Sequence, residues 1–254
     1  MLAGSEACDY NHGVGEIEAA AVIDDSAGAL AVVDVEAAAG RLAAIRARIA
    51  AAARLTERDA ATVELIAVSK TYGPAEITPF LRAGQRSFGE NRVQESLAKW
   101  PGLRAGYPGV RLHLIGQLQS NKAAEAVAHF DVVHAVDRPS LVDALARAMV
   151  AQGRRPDCFV QVNIGQEPQK GGCAIAALPG LLDLARKAGL PVVGLMAVPP
   201  AGIEPAPFFA LLAKLAAEHD LHQLSMGMSD DFETAVMLGA TAVRVGSALF
   251  GPRA

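Results

Sequence analysis

The chain has 254 residues, 52% of them hydrophobic and 20% charged, with a formal net charge of −4. That size and balance suit one large domain with a full core and exclude a low-complexity or disulfide-stapled chain. No apolar run is long enough to span a bilayer. The three cysteines, Cys8, Cys158 and Cys173, are far apart and outside any CxxC pair, as expected of a protein of the reducing cytoplasm.

Charge is unevenly placed. Residues 1–40 carry eight acids and no Lys or Arg, which leaves +4 on the remainder. An acidic start without a basic n-region is neither a secretory signal nor a transit peptide. Residues 1–33 mix Gly, Ala, Ser and acids without clear periodicity and read as a flexible leader, with the folded domain expected over 34–254. The body has no basic clusters with interleaved aromatics, so nucleic acid is not an expected partner.

The regular pattern begins with an alanine-rich amphipathic helix over 35–53, where Leu42, Ile45 and Ile49 share one face. Strands are then predicted at 64–70, 86–89, 111–116, 131–136, 158–164, 191–198, 223–227 and 242–247. Helices alternate with them near 75–83, 91–99, 121–129, 139–151, 175–188, 205–219 and 230–238. The strands are rich in Val, Ile and Leu without polar alternation, as parallel strands covered on both faces are. Eight such strands in one α/β chain predict a (β/α)8 TIM barrel. A doubly wound sheet is disfavoured, because no Gly-rich dinucleotide fingerprint follows any strand. Few residues remain after strand eight, so the helix at 35–53 is expected to fill the gap beside strands one and eight, with no second domain following the barrel.

Polar residues gather at the expected carboxyl ends of these strands, the face on which a barrel builds its site. Lys70 ends the first strand and is placed like a Schiff-base amine, although a solvated strand-end lysine would read the same way. Asn91 follows the second strand. Ser225, Met226 and Gly227 follow the seventh, and Gly246 and Ser247 the eighth. The last two groups offer small side chains, bare N–H groups and hydroxyls, the chemistry of a phosphate cradle, in the loops where barrels often hold phosphate. Turn and cap roles account for each one singly, with Ser229 or Asp230 as a helix cap. Asp230-x-x-Glu233 has the spacing of a capping box.

Arg244 lies in an otherwise apolar strand and, if buried, needs an acceptor. A pyridine nitrogen would serve, and facing a permanent cation it would stay unprotonated. That weakens a pyridine ring as an electron sink. No other reactive set stands out. His219 and His222 lack a metal-binding pattern. Cys173 has no histidine motif and reads as a small buried thiol. There is no Walker loop and no G-x-S-x-G elbow.

Several blocks recur in order: Ala67-Val68-Ser69-Lys70-Thr71, Phe88-Gly89-Glu90-Asn91-Arg92-Val93-Gln94-Glu95, His113-Leu114-Ile115-Gly116, Leu118-Gln119-Ser120-Asn121-Lys122, Gly194-Leu195-Met196, Leu224-Ser225-Met226-Gly227-Met228-Ser229-Asp230-Asp231 and Val243-Arg244-Val245-Gly246-Ser247-Ala248-Leu249-Phe250-Gly251. Over roughly 35–252 the chain resembles the YggS-like pyridoxal phosphate homeostasis proteins, also called proline synthetase co-transcribed homologues. The resemblance implies a barrel of the alanine racemase N-terminal type. It also implies pyridoxal 5'-phosphate (PLP) held as a reversible Schiff base on Lys70. By the same resemblance Arg244 meets the pyridine nitrogen and Asn91 lies near the ring. Ser225, Met226, Gly227, Gly246 and Ser247 fall in the phosphate region. Where the family often has Lys-Ser-Gly and Gly-Pro-Leu-Gln, this chain has Lys170-Gly171-Gly172 and Gly116-Gln117-Leu118-Gln119.

The expected function is therefore a cytoplasmic, monomeric PLP carrier that limits free aldehyde and hands the cofactor to apo-enzymes, without being an enzyme itself. The alternative is a PLP-dependent amino-acid racemase. That chemistry needs an acid/base on each face of the substrate carbon. The tyrosines, Tyr10, Tyr72 and Tyr107, offer no evident second one. A third reading is a barrel for another phosphorylated ligand, with Lys70 only ion-pairing.

Overall fold

The computed structural model describes residues 25–251. Most of the leader expected over 1–33 lies outside them, and helix α1 (Asp25–Arg54) begins well before the expected residue 35. Alanine is the best helix former, and the run of alanines carries the helix outward from its apolar face. That face is Ala38, Leu42, Ile45, Ile49, Ala52 and Ala53, all buried.

Eight strands follow: β1 (Glu64–Val68), β2 (Ser87–Glu90), β3 (Arg111–Leu114), β4 (Val132–Val136), β5 (Asp157–Gln161), β6 (Val192–Met196), β7 (Gln223–Met228) and β8 (Ala242–Val245). They form a closed barrel in sequence order, and β1 pairs with β8 in parallel, with Ile66 opposite Arg244. The chain is thus a TIM barrel. Between the strands run α2 (Pro74–Arg82), α3 (Val93–Gly106), α4 (Ala123–His129), α5 (Pro139–Gln152), α6 (Leu178–Lys187), α7 (Ala206–Glu218) and α8 (Phe232–Met237). Among the described residues, β8 is followed by the short α9 (Ser247–Phe250).

Helix α1 packs on α2, α8 and α9, and so covers the seam where β8 meets β1. Three arginines fasten it and the turn that follows. Arg41 donates to Leu249 O at 2.8 Å, Arg48 pairs with Glu233 at 2.7 Å, and Arg58 donates to Ala240 O at 2.9 Å. Glu233 therefore faces α1. The capping box expected from Asp230 and Glu233 does not form: the N-cap of α8 is Asp231, whose carboxylate accepts from Met228 N at 2.6 Å.

Apolar side chains alternate along each strand. Leu65, Ala67, Phe88, Leu112 and Leu114 join the large core under the helices. Val132, Phe159 and Met196 form a separate small cluster inside the barrel. TIM-barrel interiors are normally filled by branched apolar residues. Here the inward set also holds Glu64, His113, His134, Ser225 and Arg244, and the last four are buried. A buried polar group is costly unless hydrogen-bonded, and these side chains bond to one another, with His113 Nε2 left facing Glu64 at 3.4 Å.

Candidate functional site

At the carboxyl end of the barrel a cavity of about 220 Å³ is lined by Val68, Lys70, Ile115, Met228, Ser229, Asp230, Arg244, Gly246 and Ser247. Of the residues expected from sequence, the structure brings Lys70, Arg244, Gly246 and Ser247 together here. Asn91 lies at the same end, directly after β2, but off this lining. Ser225, Met226 and Gly227 lie beneath it, fully buried. Strand alternation explains this. Ser225 points inward, where its Oγ is engaged by Arg244 and His134. Gly227 has φ +91°, and a Cβ there would sit 2.6 Å from the Ala235 Cβ, so the glycine is required by α8 packing onto β7. From the β7 segment the hydroxyl that reaches the cavity is Ser229, read from sequence as a possible cap; its Oγ accepts from Gly246 N at 3.3 Å.

The Lys70 turn is built from below. β1 ends at Val68, two residues short of the predicted end, and Thr71 adopts φ +70°. Glu95 accepts from Thr71 N at 2.6 Å. Buried Lys99 then donates to Ser69 O at 2.8 Å and to Tyr72 O at 2.9 Å, gripping the backbone on both sides of Lys70. Lys99 also pairs with Glu95 at 3.1 Å and with Glu90 at 3.0 Å. Glu90 is fully buried and accepts from Ser69 Oγ at 2.6 Å and Trp100 Nε1 at 2.8 Å. Burial raises the Glu90 carboxyl above the ordinary range, opposed by Ser69, Trp100 and Lys99. These two lysines divide the work: Lys99 is saturated and structural, while Lys70 is half-buried and lines the cavity. Gly116 admits this end of β2, since a Cβ on it would lie 2.3 Å from Asn91 O.

Arg244 stands on β8, the strand that pairs with β1. It donates to Ser225 Oγ at 2.6 Å and to Ala197 O at 3.0 Å. Guanidinium carries five N–H donors, so others remain for a ligand in the cavity. Burial brings its pKa down to about 10, with Asp231 acting the other way, and it stays cationic at neutral pH.

Other candidates recede. Burial pushes the thiols of Cys158 and Cys173 up to about 12 and about 11, so neither is a ready nucleophile. Tyr72 donates its hydroxyl to Gly251 O at 3.1 Å and stacks on Phe250. Lys170 pairs with Glu167 at 2.7 Å and donates to Pro199 O at 2.9 Å.

The alanine racemase N-terminal domain family matches residues 40–254. A pyridoxal phosphate homeostasis protein of Pseudomonas aeruginosa is 42% identical over 218 residues, covering 84% of this chain and 94% of that protein. The chain belongs to this family. PipY of Synechococcus elongatus, solved with PLP bound, is 40% identical with a TM-score of 0.72, over 84% of this chain and 100% of that one. An alanine racemase of Bacillus anthracis shares the fold at 18% identity, with a TM-score of 0.60 over 84% of this chain and 56% of its own.

The donor set fits that cofactor. An amine, a guanidinium, two hydroxyls and a glycine without a side chain surround one cavity, matching an aldehyde, a ring nitrogen and a phosphate. Val68, Ile115 and Met228 supply apolar walls for a flat ring. The exposed Asp230 on the rim is the one group adverse to an anion.

Proposed function

We propose that this protein is a reversible PLP carrier acting in cofactor homeostasis. The observation that carries the reading is the convergence of Lys70, Arg244, Ser229, Gly246 and Ser247 on one cavity in a chain of this family. Bound there, the cofactor supplies an aldehyde that condenses with the Lys70 amine as a Schiff base, with loss of one water. Lys99, Glu95 and Glu90 hold the Lys70 turn in place for it. Arg244, a donor without acceptors, disfavours a proton on the ring nitrogen. Ser229 and Ser247 would hold the phosphate, with Gly246 leaving room for it, while Asn91 would lie near the ring and Ser225, Met226 and Gly227 shape the floor beneath the cavity.

Release belongs to the same reading. Because the Schiff base forms and hydrolyses reversibly, the protein limits free aldehyde and can pass the cofactor to apo-enzymes in the cytoplasm, working as a monomer. Amino-acid turnover is not expected at ordinary enzymatic rates. Arg244 weakens the ring as an electron sink, and Tyr72, the tyrosine nearest Lys70 in sequence, has its hydroxyl committed to Gly251. Among the described residues, no helix is long and apolar enough to cross a membrane.

The test is titration of the purified protein with PLP, followed by mixing with an apo-enzyme and with amino acids. A Schiff-base absorbance band, recovery of apo-enzyme activity and no product from amino acids are expected. Racemization or decarboxylation on the order of 1 per second, lost in Lys70→Ala, would overturn the carrier reading in favour of an enzyme.

A further inference from the structure

The inward polar column is hydrogen-bonded from Arg244 through Ser225 and His134 to His113, and ends on a longer ion-pair contact between His113 Nε2, which has no hydrogen-bond partner of its own among the described residues, and Glu64. Arg244 Nη1 lies 2.6 Å from Ser225 Oγ, and Ser225 Oγ lies 2.9 Å from His134 Nδ1. His134 Nε2 lies 3.0 Å from His113 Nδ1, and His113 Nε2 lies 3.4 Å from Glu64 Oε1 at the amino end of β1. It joins five strands and crosses from the cavity to the opposite end of the barrel.

The direction of every bond follows from donor chemistry. Guanidinium can only donate, so Arg244 occupies a lone pair of Ser225. The single serine proton then goes to His134 Nδ1, the other hydrogen-bond partner of that hydroxyl. A neutral His134 accepting at Nδ1 must carry its proton on Nε2, and it donates to His113 Nδ1. His113 in turn carries its proton on Nε2, facing the Glu64 carboxylate. The reverse arrangement with neutral rings leaves the serine proton without an acceptor and turns a bare His113 Nε2 toward a carboxylate. Both are costly in a dry interior.

We infer that Glu64, His113 and His134, acting through Ser225, are positioning residues for Arg244: a one-way hydrogen-bond chain orients the guanidinium at the cavity and links it to a remote counter-charge. The role rests on Arg244 as a donor in the cofactor cavity. Phe159 stacks on His134 with centroids 4.5 Å apart and holds the ring in plane with this path. Burial above all, with the nearby Arg244 guanidinium acting the same way, keeps the His134 pKa far below its usual value, which agrees with a neutral ring. At the far end Arg111 lies 3.4 Å from Glu64 and 2.5 Å from Asp157, holding the terminal acceptor charged.

The test is imidazole 15N NMR of the full chain labelled at histidine, at neutral pH and without cofactor. His113 and His134 should both be neutral, protonated on Nε2 and bare on Nδ1. Glu64→Gln keeps an acceptor and should preserve this pattern. Glu64→Leu removes it and should shift the tautomer of His134, which Glu64 does not touch. An Nδ1-protonated His134 or a cationic His113 in the intact protein would overturn the chain. So would an unchanged His134 in Glu64→Leu. Separately, Ser225→Ala should weaken PLP binding about tenfold, the loss of one hydrogen bond to a charged group. Equal affinity would overturn the positioning role. Failure of the unmutated protein to bind PLP would instead remove the cofactor reading, with the tautomer pattern still deciding the chain.

Discussion

The two ends of this barrel are both polar, yet they handle charge in opposite ways. At the amino end Arg111 sits between Glu64 and Asp157, and Ser87 donates to Glu64 at 2.7 Å. Each charge there has an opposite partner. At the carboxyl end Arg244 is bound by neutral acceptors only, Ser225 and Ala197 O, and shares a cavity with Lys70. The difference teaches where a site can be. Ion pairs that satisfy each other consume their chemistry, whereas a guanidinium braced by neutral groups at a cavity keeps donors for an incoming ligand.

Breaking the frame of the carboxyl end should have the largest effect. Lys99→Met leaves the fully buried Glu90 carboxylate without its cation, and removal of one partner of a buried pair costs about 3–5 kcal/mol. Urea unfolding should register that loss, and a loss below about 1 kcal/mol would show that the Lys70 turn does not depend on this lysine.

The amino end should be next. Burial would raise the Glu64 pKa, but His113, Ser87 and Arg111 outweigh it and bring it down from 4.5 to about 2. A carboxylate lowered on folding contributes stability that is complete above the unfolded value and lost as the pH falls through the folded one. Glu64→Gln should therefore cost on the order of 2–3 kcal/mol at neutral pH. The gap from the unmutated protein should close between about pH 4.5 and pH 2. A gap that stays constant with pH would contradict the floor ion pairs.

Arg244→Ala tests the opposite end by binding rather than stability. Loss of a charged donor, worth about 1.5–3 kcal/mol, should weaken PLP affinity by roughly ten- to hundredfold. The smallest effect is expected outside the barrel, at Arg48 and Glu233, whose side chains are 45% and 43% exposed. Arg48→Ala should change thermal stability by less than about 1 kcal/mol, and a larger drop would mean that α1 closes the β8–β1 seam through this pair.

The fold was largely legible because buried parallel strands leave a strong apolar signature, and all eight predicted strands are present with shifted ends. Helix α3 was read as ending at 99, ahead of Pro101-Gly102, yet it continues to Gly106 because Trp100 and Leu103 anchor it in the core. The site was legible where chemistry is carried by residue type, as at Lys70, Arg244, Gly246 and Ser247. It was not legible where strand alternation decides. Ser225 and Ser229 stand four residues apart in one segment, and the inward turn of the first separates a brace for Arg244 from a cavity hydroxyl. His113 and His134 each stand alone in an apolar strand. Their neighbours there, Leu112, Leu114, Val133 and Ala135, give the inward-facing clue, but the partnership itself exists only once β3, β4, β7 and β8 close.

The central claim is that Lys70 is the residue through which this cavity holds PLP. Borohydride reduction of the protein incubated with PLP, followed by proteolysis and mass spectrometry, tests it directly. The account predicts a single pyridoxyl adduct on Lys70, absent from Lys70→Ala. An adduct on Lys99, Lys122 or Lys170 in the intact protein, or none at all, would contradict it.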